Sequence, residues 1–125
     1  PLVIAVTQLT STSEERMNRE LLIQATMEET VLHYAQNAKE AGLAGIVCSP
    51  LEAAIVKKGL GEDFITVTPG IRLPDSIKDD QARITTPTQA REIGTDYIVV
   101  GRPIIRAEDP VAAYDRFCHD FLGEA

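Results

Sequence analysis

A chain of 125 residues is long enough for one domain with a real core, and its 44% apolar and 25% charged content is that of an ordinary globular protein. The net charge of −7 argues against nucleic acid or an anionic membrane surface as partner, so any bound anion needs a local cluster of positive charge. No apolar run approaches the ~20 residues that span a bilayer, and no basic segment followed by an apolar stretch marks a signal peptide; a cytoplasmic location is therefore expected.

Leu2-Val3-Ile4-Ala5-Val6-Thr7 is a continuous apolar run. Continuous rather than alternating apolarity predicts a strand covered on both faces, as in a parallel sheet. The chain starts at Pro1 directly on this strand, which suggests a fragment or an engineered chain. A hydroxyl-rich turn follows, and Ser13 can cap a short helix over about 14–22 whose first turn carries Glu14 and Glu15. A longer helix is predicted from about Met27 to Ala41, with Val31, Tyr34, Ala35, Ala38 and Ala41 at helical spacing and Gly42 closing it.

The second strand is expected at about 44–48. Ser49-Pro50-Leu51-Glu52 then reads as a capping box with proline at the first helical position, opening a helix that runs to Gly59. The third strand is expected at 64–68. A helix from Thr86-Pro87, with Gln89 three residues past Thr86, stops near Gly94, and the fourth strand is expected at 97–101. The last helix starts at Asp109-Pro110, with Val111, Tyr114, Phe117, Cys118, Phe121 and Leu122 as its buried stripe. Cys48 and Cys118 read as buried free thiols in a reducing compartment, with a disulfide or metal site the weaker alternative. His33 and His119 fall on helices away from the strand ends and read as surface or interface residues.

The pattern is βα repeated four times in one domain, 1–125, which predicts a parallel sheet with right-handed crossovers. A complete (β/α)8 barrel takes about 250 residues, so the α/β reading is a (βα)4 half of a TIM barrel, and a small open flavodoxin-like sheet is the alternative. Two neighbouring strands end in comparable sequences, Val67-Thr68-Pro69-Gly70-Ile71-Arg72 and Val99-Val100-Gly101-Arg102-Pro103-Ile104. Glycine admits close approach of a backbone N–H to an anion, and arginine offers a charged fork that fits phosphate. These two βα loops therefore read as one phosphate site.

These residues also carry a resemblance. Val6-Thr7-Gln8-Leu9-Thr10-Ser11, Thr66 to Arg72 with Asp80-Gln81 downstream, and Val99 to Ile104 resemble the bacterial-type orotidine 5′-phosphate decarboxylase family, in its order and spacing from Leu2 onward. The part resembled is the C-terminal half of the family's barrel. The resemblance implies that Thr10 sits by the pyrimidine ring, that Arg72 holds the phosphate, and that Gln81 reaches both phosphate and pyrimidine and helps close a lid. Gly101, through its N–H, and Arg102, through its guanidinium, would complete the phosphate cradle. Orotidine or uridine monophosphate, or phosphate itself, is the implied ligand, with no cofactor and no metal. In the family, grip on the remote phosphate helps stabilise the transition state for loss of carbon dioxide, and loop closure shuts out water.

The family's Asp-x-Lys-x-x-Asp array, which belongs to its N-terminal half, does not occur in this sequence. The nearest stretch, Asp75-Ser76-Ile77-Lys78-Asp79-Asp80, has the wrong spacing and reads as a solvated loop. The expectation is a carboxy-lyase half that is inactive alone. A non-catalytic half-barrel scaffold is the alternative function, and another phosphate-handling barrel such as a sugar-phosphate epimerase the third. Four strands leave two open edges and an uncovered inner face, so a second half is expected as partner, either another copy related by a two-fold axis, giving a dimer, or a separate N-terminal half.

Overall fold

The computed structural model describes residues 1–74 and 84–123. Four parallel strands, β1 (Ile4–Val6), β2 (Gly45–Val47), β3 (Ile65–Thr68) and β4 (Tyr97–Ile98), form one sheet in the order β1-β2-β3-β4. Among the described residues six helices intervene or follow: α1 (Glu14–Glu20), α2 (Met27–Glu40), α3 (Pro50–Leu60), α4 (Pro87–Ile93), α5 (Arg102–Ile105) and α6 (Pro110–Leu122).

Strand order decides between the two architectures left open by the sequence. A doubly wound sheet reverses direction at a switch point, which places helices on both faces. Here each strand lies beside its sequence neighbour without reversal, and right-handed crossovers then put every helix on the same face. Side chains agree. Ala5, Ile46 and Thr66 occupy one rung across β1, β2 and β3. Ala5 and Ile46 pack with Met17, Val31, Ala35, Ala53 and Val56 from α1, α2 and α3, and Ile98 and Val100 pack with Ala90 and Phe117 from α4 and α6. The next rung, Val6, Val47, Val67 and Tyr97, faces the other way, and no helix covers it among the described residues. Val6 and Tyr97 are each 59% exposed. The open flavodoxin-like alternative is therefore excluded: this is a singly wound (βα)4 unit, half of a TIM barrel with its inner face uncovered.

Local chemistry sets the element boundaries. Ser13, Thr26, Ser49, Thr86 and Asp109 each accept a backbone N–H at a helix start, and Thr86 with Gln89 forms the full reciprocal box. Helix α1 stops at Glu20, earlier than expected, because Leu22 takes φ 58°. The strands are shorter than the apolar runs that signalled them. Gly45 is needed where β2 meets β3, since a Cβ there would lie 2.2 Å from the Ile65 carbonyl oxygen.

The last helix corrects the expectation most clearly. Phe117 alone of the expected stripe is buried; Cys118 and Phe121 are half-buried, and Val111, Tyr114 and Leu122 are exposed. On α2, Tyr34 and Ala41 likewise turn outward while Val31, Ala35 and Ala38 are buried. The reason at α6 is position. It flanks the edge strand β4, and beyond it lies a groove of about 410 Å³ lined by Tyr97, Ile98, Tyr114, Phe117, Phe121 and Leu122. The helical period identified the apolar face correctly, but that face borders an open sheet edge.

Candidate phosphate site at the strand ends

In parallel α/β units ligands gather where the strands end. Thr10 follows β1, Arg72 follows β3, and Gly101 and Arg102 follow β4, so all four lie beyond the same edge of the sheet. Thr68 pairs with Ile98, and each arginine follows four residues later in sequence, Arg72 past the Gly70 turn and Arg102 at the start of α5.

Arg72 is held firmly. Its backbone N–H donates to the Thr85 carbonyl at 2.9 Å, and the Thr85 N–H donates to the Gly70 carbonyl at 3.0 Å. The Pro69-Gly70 turn that makes this possible has Gly70 at φ 80°, which a side chain would strain. The Arg72 side chain is buried, with Nη1 donating to the Ile71 carbonyl at 2.8 Å. Thr85 in turn donates to Gln89 on α4, so the Arg72 loop and the start of α4 form one unit.

Gly101 and Arg102 begin the single-turn helix α5, an element the sequence reading did not anticipate. A Cβ at Gly101 would meet nothing within 4 Å, so the space beside its backbone is open. Arg102 is half-buried. Thr10 is buried in the loop after β1, and it does not cap α1, because Ser13 fills that role. Gln81 and the stretch from Asp75 to Asp80 lie outside the described residues. Cys48 is buried and Cys118 half-buried, with no disulfide between them, and both His33 and His119 are exposed.

Sequence reasoning missed a polar cluster where β4 begins. The buried Lys57 Nζ on α3 pairs with Asp96 and donates to the Glu62 carbonyl at 2.8 Å. Asp96 Oδ2 also accepts the Thr66 N–H at 2.9 Å. Burial works to raise the Asp96 pKa, but hydrogen bonds from Lys57 and Thr66 and the Lys57 charge outweigh it, so the carboxyl sits below its ordinary value. The available signal was a lysine at helical spacing among Ala53, Val56 and Leu60, on the buried face of α3.

Comparison with known proteins now bears on these features. The model of the orotidine 5′-phosphate decarboxylase / HUMPS family matches residues 1–117. The chain belongs to that family. Orotidine 5′-phosphate decarboxylase of Geobacillus sp. (strain WCH70) is 56% identical over 124 residues, covering 99% of this chain and 52% of that protein. The Staphylococcus saprophyticus enzyme is 57% identical, over 97% of this chain and 53% of its own length. The crystal structure of orotidine 5′-phosphate decarboxylase from Lactobacillus acidophilus superposes with a TM-score of 0.78 at 43% identity, over 97% of this chain and 49% of that one. The Pyrococcus horikoshii structure, at 22% identity and a TM-score of 0.60, supports the fold alone. This chain spans about half the length of the decarboxylase relatives it matches, in keeping with four strands of an eight-stranded barrel.

Proposed function

We propose that this chain is the phosphate- and nucleotide-binding half of an orotidine 5′-phosphate decarboxylase, with the C-terminal half of the barrel as its place in the family. The supporting observation is that Arg72 and Arg102 both follow the paired ends of neighbouring strands β3 and β4, with open space at Gly101. Arg102 supplies a guanidinium to the phosphate, Gly101 a backbone N–H, Arg72 a second positive charge behind them, and Thr10 a hydroxyl from the loop after β1. Gln81 would close over the ligand. The nucleotide's base and the carboxylate lost as carbon dioxide then extend across the barrel mouth.

The chain's part in catalysis is binding energy. A phosphate held at the strand tips anchors the substrate, and that interaction lowers the barrier at a distant carbon when it strengthens in the transition state. Proton delivery and electrostatic pressure on the carboxylate need a lysine–aspartate array, and no Asp-x-Lys-x-x-Asp occurs in this sequence. Decarboxylation therefore requires a second half bearing that array, seated on the uncovered Val6-Val47-Val67-Tyr97 rung.

The test follows orotidine monophosphate absorbance with the chain alone and mixed with an N-terminal half-barrel from a relative. Activity in the mixture only is the expected result. Activity of the chain alone, or uridine monophosphate affinity unchanged by Arg102→Ala, would overturn the proposal.

A further inference from the structure

Strand β4 is weakly tied by its own backbone. Its pairing with β3 covers two positions, Val67–Tyr97 and Thr68–Ile98, plus the Val99 N–H to the Thr68 carbonyl at 3.0 Å. The pairs β1–β2 and β2–β3 each cover three, and β4 lies at the sheet edge. Short edge ladders specify register poorly. Arg102 follows β4 by four residues, so its place depends on the register: a slip of two residues, which preserves the faces, would carry the start of α5 roughly 6.6 Å along the sheet.

The polar cluster lies immediately before this ladder. The Asp96 carboxylate takes the Thr66 N–H, and the Asp96 N–H donates back to Thr66 Oγ1 at 3.3 Å, a reciprocal pair across the two strands. Thr95 Oγ1 lies 3.0 Å from Thr66 Oγ1 and accepts from Thr68 Oγ1 at 3.2 Å, which adds a second point of reference one residue away. Lys57 fastens Asp96 to the end of α3, and its 6% exposure means that the counter-charge must stay in place. A slipped register would strand a buried ammonium and a buried hydroxyl together. Such groups are costly when unpaired and so select one alignment.

We propose that Asp96, held by Lys57 and keyed to Thr66 and Thr95, is the register lock of β4 and thereby a positioning residue for Arg102. Its consequence for the ligand rests on the phosphate-site reading above; the lock itself does not.

Amide hydrogen exchange on the full chain tests it without ligand. Two amides donate to β3 carbonyls from opposite sides: Val99 to Thr68 and Cys48 to Val67. In Asp96→Asn, protection at Val99 should fall roughly tenfold or more relative to Cys48, the scale of a lost charge-assisted hydrogen bond. Protection that falls equally at both sites marks a merely structural residue and overturns the proposal, as does an unchanged ratio. If Asp96→Asn does not fold, Thr95→Val removes only the hydroxyl bridge and must move the same ratio in the same direction; an unmoved ratio refutes the lock. A uridine monophosphate titration accompanies both variants. Where Asp96→Asn moves the exchange ratio but the wild-type chain binds no nucleotide, the phosphate-site reading falls and the lock stands.

Discussion

Replacing Val6 by aspartate separates the chain's own core from the surface it offers to a second half. Val6 shares a rung with Val47, Val67 and Tyr97 on the face that no described helix covers. Full burial of a valine contributes about 1.5–3 kcal/mol. With 59% of its surface still exposed, Val6 has about 1–2 kcal/mol left to gain from a covering partner. Val6→Asp forfeits that and asks a partner to bury a carboxylate, which adds at least several kcal/mol unless it is paired. The combined loss of about 4 kcal/mol or more corresponds to roughly a thousandfold weaker association. In the isolated chain the same change should alter stability by about 1 kcal/mol or less, as at other exposed strand positions. Ile46→Ala, on the helix-covered face and fully buried, should cost about 2–5 kcal/mol. Urea unfolding at low concentration measures the stability of the isolated chain, and sedimentation with and without an N-terminal half measures the association. A Val6→Asp chain that unfolds as readily as Ile46→Ala, or that associates as well as wild type, would refute the one-sided packing on which the half-barrel reading depends.

Acid should weaken the β4 lock. The Asp96 pKa is lowered on folding, so its contribution is present above the unfolded value of about 3.9 and is lost as pH falls through the lower folded value. Urea midpoints should therefore drop more steeply below about pH 4 in wild type than in Asp96→Asn. Gly45→Ala drives a Cβ onto the Ile65 carbonyl and should cost about 3 kcal/mol, read as a lower thermal midpoint. Thr86→Ala removes one arm of the reciprocal cap of α4 and should cost about 1 kcal/mol in the same assay.

The sequence carried the architecture because its punctuation is strong. Ser13, Ser49, Thr86 and Asp109 mark helix starts and each caps its helix, though at Ser49 the hydroxyl accepts from the Leu51 N–H rather than forming the box read with Glu52. The apolar runs marked four strands whose continuous character anticipated cover on both faces; the described residues cover one. Three features resisted reading. Helix α5 is a single turn opened by Gly101, with no side-chain cap to announce it. The exposure of Val111, Tyr114 and Leu122 depends on which strand ends the sheet, which no local period encodes. The Lys57–Asp96 pair joins residues 39 apart in sequence, and only a lysine out of place on an apolar stripe hinted at it.

At the candidate site, a glycine and an arginine after each of two successive strands were read as an anion cradle, and the structure places these residues after the paired ends of β3 and β4. The chemistry of the site is tested most directly by titrating uridine monophosphate into the isotopically labelled chain while following the Gly101 amide. The account predicts a saturable shift at Gly101, competed by inorganic phosphate and abolished by Arg102→Ala. A Gly101 signal that stays in place at saturating nucleotide, or moves equally in Arg102→Ala, would contradict it.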